Sequence, residues 1–255
     1  MSAVHLPIGP ACRLAGEKRG TGRKVVRMII VEDLHKNFGG FQAVRGASLE
    51  IAKGSITGLI GPNGAGKTTL FNVIAGRLPP SSGRVFMDGE DITGLSPHEL
   101  FHSEGETLWN TWFRRREIAK EERALAEKAD AVLDFLTISH LAHQKAANIS
   151  GGQKKLLELG RTMMVDAKVV FLDEVGAGSL NTIADAIVRL NKERGYTFCI
   201  IEHDMDFIAR LCDPVIVMAE GKVLAKGSAA HIMENDAVIE AYLGRGLKNK
   251  VKAHA

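Results

Sequence analysis

The chain has 255 residues and a formal net charge of +3, with 25% charged and 45% hydrophobic residues, the balance of a folded globular domain rather than a fibrous or disordered chain. No apolar run approaches the ~18–20 residues of a membrane span, and the three cysteines, Cys12, Cys199 and Cys212, show neither metal-ligand spacing nor a disulfide framework, which suits a reducing compartment. The positive charge is concentrated in residues 1–27, with six Lys/Arg against one acid, so the remainder is slightly acidic and nucleic acid is not expected as the main partner.

Residues 1–27 are rich in Gly and Arg and carry no apolar period and no signal-peptide core. They read as a disordered basic extension, and translation from Met28 is an equally good reading. Met28 to Val31 and Ala47 to Ile51 are predicted strands, with turns at Gly39-Gly40 and Lys53-Gly54. Phe38 lies in the first turn, where its ring either stacks on a base or joins the core.

Ile56 to Ile60 is mostly apolar and reads as a buried strand, and a helix begins near Thr69 and runs to Ala75. Between them stands GPNGAGKTT, which fits G-x-x-x-x-G-K-[ST] at Gly61, Gly66, Lys67 and Thr68. Strand, glycine-rich loop and helix form the context this motif requires. A triphosphate needs backbone N–H donors close to its oxygens, and Gly61, Gly64 and Gly66 keep side chains out of the way. Pro62, Asn63, Ala65 and Thr69 complete the loop. The helix that follows aims its free N–H groups and positive dipole end at the same anion. Lys67 supplies a point charge toward the β- and γ-phosphates of ATP, and the Thr68 hydroxyl is placed to ligate Mg²⁺.

Beyond a turn at residues 79–83, Arg84 to Met87 is a predicted strand that Asp88-Gly89 turns back, and Pro97 opens a short helix through Phe101. From His102 to Arg116 no period is present. Trp109, Trp112 and Phe113 in this stretch read as local core in preference to a partner-facing patch. Glu117 to Leu136 is a predicted helix with Ile118, Leu125, Ala129, Val132, Leu133 and Leu136 on one face. Ser150 and Gln153 have the spacing of a capping box, and with Gly151 and Gly152 they make a helix start able to receive an anion.

Val169 to Leu172 is a continuous apolar run of the kind buried on both faces of a parallel sheet. It ends in Asp173-Glu174, at a strand's carboxyl end, where open α/β sheets bind ligands. Asp173 is expected to hold Mg²⁺ through water, and Glu174 to polarise the attacking water. Leu180 to Leu190 is a predicted helix. Tyr196 to Ile201 is a second buried strand, and it leads to His203, within reach of a γ-phosphate. Pro214 to Ala219 and Lys222 to Ala225 form a hairpin around Glu220-Gly221. The chain then carries helices through Ala237 to Leu243, before a polar tail over residues 246–255.

GPNGAGKTT, ISGGQKK, VVFLDE and IIEHD, in this order, resemble the nucleotide-binding subunit of ABC transporters. NFGGFQAV, IIEHDMDFI and AYLG narrow the resemblance to importers of branched-chain and other hydrophobic amino acids, with lipopolysaccharide-export ATPases sharing a similar tail. The implied fold is α/β: a P-loop NTPase over residues 28–245, with a RecA-like parallel-sheet core, an N-terminal antiparallel β subdomain and a truncated helical subdomain at about 97–165. The resemblance implies two ATPase subunits packed head to tail, identical or different, with ATP between Gly61–Thr69 of one and Ser150–Gln153 of the other. Glu174 would be the general base and His203 the γ-phosphate contact. It also implies integral-membrane permease subunits, indirectly a periplasmic binding protein, and a cytoplasmic place on the inner face of a bacterial membrane.

Two departures from the family stand out. The family carries a glutamine between the phosphate loop and ISGGQ that meets Mg²⁺ and water, but the three glutamines here are Gln42, Gln144 and Gln153. A block reads as excised after His102. Val175 replaces an expected proline, and the loop around Gly178-Ser179 looks short. A soluble ABC protein and an ATP-binding relic impaired in hydrolysis are the competing expectations.

Overall fold

The computed structural model describes residues 26–100, 115–165, 167, 169–173 and 180–243. The predicted Trp109–Phe113 cluster, the loop from Glu174 to Ser179 and both termini lie outside the described residues.

The chain opens with β1 (Arg27–Phe38) and β2 (Phe41–Ala52), then β3 (Ile56–Ile60) and α1 (Lys67–Ile74). Next come β4 (Ser82–Met87), β5 (Glu90–Asp91), α2 (Pro97–Leu100) and α3 (Arg115–Phe135). After α4 (Gly151–Met164) follow β6 (Val169–Asp173), α5 (Leu180–Arg194), β7 (Thr197–Ile201) and α6 (Met205–Leu211). The chain continues through β8 (Val215–Ala219), β9 (Lys222–Gly227), α7 (Ala229–Glu234) and α8 (Asp236–Leu243).

Two sheets result. A four-stranded antiparallel sheet has the order β2-β1-β4-β5, and a five-stranded sheet has the order β6-β7-β3-β8-β9. In the second sheet β6, β7, β3 and β8 run parallel and β9 closes the edge antiparallel. Its apolar runs are buried on both faces, as continuous runs require. Alternate residues divide between two cores. Val169, Phe171, Cys199, Ile201, Ile216 and Met218 face α1 and the antiparallel sheet. Val170, Leu172, Phe198, Ile200, Val215 and Val217 face the layer of α3 to α8. Phe71 of α1 meets Phe171 edge to face at 5.0 Å between ring centroids, a favoured aromatic geometry.

The parallel strands and the long helices stand where periodicity expects them. The first two strands are longer than Met28–Val31 and Ala47–Ile51. The polar stretch of β1 stays in the sheet because it pairs across the hairpin and bends at register shifts, with Asp33 at φ 45° and its N–H on Ser48 Oγ at 2.9 Å. Two short helices, α6 and α7, escape periodicity altogether. Their caps account for them: Asp204 Oδ1 accepts from Phe207 N at 3.0 Å, and Ser228 Oγ from His231 N at 3.3 Å.

Over residues 122–136, the apolar stripe expected along α3 is buried toward its far end. Val132 and Leu136 are inside, while Leu125 is 56% exposed and residues 122–127 all face solvent. Leu125 is therefore not a core residue of the described body. The end of α3 is fastened instead by Arg189 of α5, whose guanidinium donates to the Phe135 carbonyl at 2.8 Å and lies 4.2 Å from the Phe135 ring centroid.

Candidate functional site

Register across the parallel sheet builds the site. Asp173 of β6 and Leu59 of β3 both stand level with Ile201 of β7. Asp173, Glu202-His203 and Gly61 therefore emerge along one edge, with the strand carrying the histidine between the acid strand and the loop strand. This is the carboxyl edge, where such sheets take ligands.

The loop at Gly61–Thr69 is wedged between β2 and the β8–β9 hairpin by contacts only glycine permits. A Cβ on Gly61 would lie 2.1 Å from the Met218 carbonyl oxygen. On Gly66, at φ +93°, it would lie 2.3 Å from the Ala43 oxygen. Gly64 is different: its φ is +78°, but no atom lies within 4 Å of a Cβ there. The first and last glycines are thus required by the chain itself, and the middle one opens outward. Gly221 in the hairpin clamps the loop, donating to the Ala65 oxygen at 3.1 Å and accepting from Arg45 N at 2.8 Å.

Lys67 is buried, 6% exposed, and its ammonium donates to the carbonyls of Gly61 at 2.8 Å and Pro62 at 3.0 Å. The sequence placed this charge near phosphates without showing that it folds into its own loop, so an anion must compete with two carbonyls for it. Gly66 is the N-cap of α1 and contributes no side chain to the cap, which leaves the helix start open. Asn63, Gly64 and Thr68 face solvent, and Pro62 and Thr69 are half-buried.

Asp173 is half-buried at the end of β6, and Glu174 lies outside the described residues. His203 is exposed, with its backbone N–H on Glu202 Oε2 at 3.0 Å. Buried Glu202 thereby pins the turn that carries the histidine, a role the sequence reading did not assign. Phe38 ends β1 directly opposite Phe41. It is 47% exposed, with the Lys36 ammonium 5.2 Å from its ring centroid. That exposure removes the core alternative for Phe38.

At the start of α4 the capping box is complete. Gln153 N donates to Ser150 Oγ at 3.3 Å, and Ser150 N donates to Gln153 Oε1 at 2.8 Å. Ser150 and Gly151 are exposed, Gly152 and Gln153 half-buried. A cleft lined by Lys128, Val132, Met163, Arg194 and Tyr196 lies at the other end of the sheet, where β6 and β7 begin, and is separate from the phosphate-loop edge. Among the described residues, no helix is long and apolar enough to cross a membrane.

Together these features define a P-loop nucleotide-binding domain: a glycine loop, a buried lysine and a helix start gathered on the carboxyl edge of a parallel sheet. The residues fit a Mg²⁺-nucleotide, since the loop is open to ligand at Gly64 and Thr68 and a carboxylate ends the neighbouring β6.

The chain belongs to the ABC transporter family, whose model matches residues 44–177. A second model, the branched-chain amino acid ATP-binding cassette transporter, matches residues 222–248. Similarity runs to ATP-binding proteins of amino-acid transport. "Probable branched-chain amino acid transport ATP-binding protein LivG" of Methanocaldococcus jannaschii is 35% identical, with 87% of this chain and 99% of the relative covered. The high-affinity branched-chain amino acid transport ATP-binding protein BraF of Pseudomonas aeruginosa is 31% identical over 84% of this chain and 96% of its own length. Among solved structures, the ADP conformation of an ATP-binding cassette of an ABC transporter matches with a TM-score of 0.75 at 35% identity, covering 86% of this chain and 99% of that one. The match to the archaeal LivG spans 257 positions, more than the 255 residues of this chain, although only 87% of the chain takes part. The relative therefore carries residues that have no counterpart here.

Proposed function

We propose that this chain is the ATP-hydrolysing subunit of an importer for branched-chain or other hydrophobic amino acids. The observation that carries the reading is the shared edge, on which the phosphate loop, Asp173 and His203 emerge level with one another. In this reading the loop N–H groups and Lys67 bind the phosphates of ATP, and Phe38 stacks on the base. Thr68 and Asp173 hold Mg²⁺, which neutralises charge on the transferring phosphoryl group. Glu174, next in sequence after Asp173, takes the proton of the attacking water. His203 contacts the γ-phosphate.

The capped, exposed start of α4 is the surface offered to a second ATPase subunit, whose nucleotide Ser150–Gln153 would complete. Permease subunits and, through them, a periplasmic binding protein are the further partners. The working place is the cytoplasmic face of the membrane. The segment matched at residues 222–248 supports the amino-acid assignment. A test is reconstitution in vesicles with permeases encoded beside this gene, measuring ATP-dependent uptake of leucine. Failure of the purified chain to bind Mg-ATP would sink the reading.

One feature favours slow turnover. No glutamine stands between Lys67 and Gln144, so the water- and Mg²⁺-positioning residue of the family is missing. Phosphoryl transfer is mostly positioning and charge stabilisation, and losing a positioning group typically costs about 10²–10⁴-fold. The chain as it stands is expected to bind ATP yet hydrolyse it slowly and couple poorly to a permease. Insertion of a family-like glutamine loop after His102 should raise turnover at saturating Mg-ATP. Equal turnover with and without the insertion would show that the loop is dispensable.

A further inference from the structure

The cleft where β6 and β7 begin has a chemistry of its own. It encloses about 330 Å³, at the small end of the ~300–1,000 Å³ of ligand pockets. The second half of α3 brings Lys128 and Val132 to it, and the last turn of α4 brings Met163. Ala167 and Tyr196, which lead into β6 and β7, complete the wall. Val132, Met163, Ala167 and Tyr196 are all buried, and the Tyr196 ring stacks on Phe198 with 6.2 Å between centroids. The floor is therefore apolar and held by the core.

The mouth is cationic. Arg194 ends α5 there and is exposed. Its guanidinium lies 5.8 Å from the Phe135 ring centroid, near the outer limit of a cation–π contact. Among the described residues no carboxylate pairs with it, and the adjacent Glu193 is engaged by Arg189 at 3.5 Å. Lys128 adds a second positive charge, and no Asp or Glu among the described residues lines the cleft.

We propose that this cleft binds a compact apolar carboxylate, with the acid group on the Arg194 guanidinium and the hydrocarbon body against Val132, Met163 and Ala167. The planar fork of arginine matches a carboxylate bidentately. An amino acid of the same size is excluded, because its ammonium would meet two like charges and no acid. One effect opposes the anion: α4 and α5 both end at the cleft, and the partial negative charge of each helix end weakens binding by about 2–5-fold. A charge-assisted contact strengthens it by about 10–100-fold, and burial of the body adds to that, so attraction wins. The cleft and the phosphate-loop edge lie at opposite ends of the sheet, so the proposal stands or falls apart from ATP binding.

The test uses the full chain with ¹³C-methyl methionine, the Met163 signal being assigned with Met163→Leu. The titrants are 4-methylpentanoate and leucine, which has the same branched body plus an ammonium group. The acid should shift the Met163 methyl signal saturably, and leucine should leave it in place at the same concentration. Arg194→Gln should raise the Kd of the acid about 10–100-fold at an unchanged melting temperature. If Arg194→Gln melts lower, Arg194→Lys decides, since it keeps the charge and loses the fork: a Kd raised at least about 3-fold supports the site, and the parental Kd overturns it. No saturable shift in the parent, equal affinity in the parent and Arg194→Gln, or leucine binding as tightly as the acid each overturns the proposal.

Discussion

Two glycine-bearing helix starts, the phosphate loop before α1 and the opening of α4, look alike in sequence and differ in what holds them. The loop is locked by its own chain: a Cβ on Gly61 or Gly66 would collide with the backbone oxygens of Met218 or Ala43. At α4, a Cβ on Gly151 meets nothing within 4 Å, and a side-chain capping box does the work of shaping the turn. The first site is built within one chain. Nothing in the described fold requires Gly151 to be glycine, so any demand for it must come from a ligand or partner brought against that surface.

Substituting the two glycines in parallel is the strongest way to break this comparison. Gly66→Ala forces a left-handed residue and a backbone clash, and should destabilise the fold by roughly 2–4 kcal/mol in urea denaturation. Gly151→Ala should stay within about 0.5 kcal/mol of the parent while lowering the ATP turnover of a paired cassette. Equal costs in stability would erase the distinction. Next in size is Lys67→Ala, which removes a charge-assisted contact to phosphate. Calorimetry should find ATP affinity about 10–100-fold weaker in a protein that remains folded. Unchanged affinity would remove the loop's claim to be the site.

Ser150→Ala sharpens the other half of the comparison. It deletes one arm of the capping box and should cost about 1 kcal/mol of stability without changing the affinity of a single chain for ATP. The smallest effect concerns the interior rather than either site. Cys199 and Cys212 are buried, and burial pushes both thiols up, Cys212 to about 12. A folded-state value raised above the unfolded one of about 8.5 favours folding while the thiol is protonated. That contribution is complete below the unfolded value and is lost as pH rises through the folded one. Stability should therefore fall above about pH 9, less steeply in Cys212→Ala, and at most one of the three thiols should react in the native protein at about pH 8.

Much of the candidate site was legible because its signals are local. The order Ile56–Ile60, glycine loop, helix is written in neighbouring residues, and the capping box of Ser150 and Gln153 is a four-residue pattern. The apolar runs at Val169 and Thr197 carry their burial on both faces in their composition. The short helices α6 and α7 were harder to read, since six or seven residues cannot display a helical period; their caps, Asp204 and Ser228, are seen in the structure.

Leu125 shares the apolar face of α3 yet stays exposed, because a period tells which face of a helix is apolar, and not whether any element comes to cover it. That Gly61 abuts Met218 and that Gly221 donates to the Ala65 oxygen are contacts between residues far apart in the chain. The strands, the phosphate loop and the capping box follow from neighbouring residues alone, because backbone sterics and hydrogen bonding act over a few residues. Which segments brace the loop is settled by the fold, because strand order and sheet register bring together positions that no local spacing encodes.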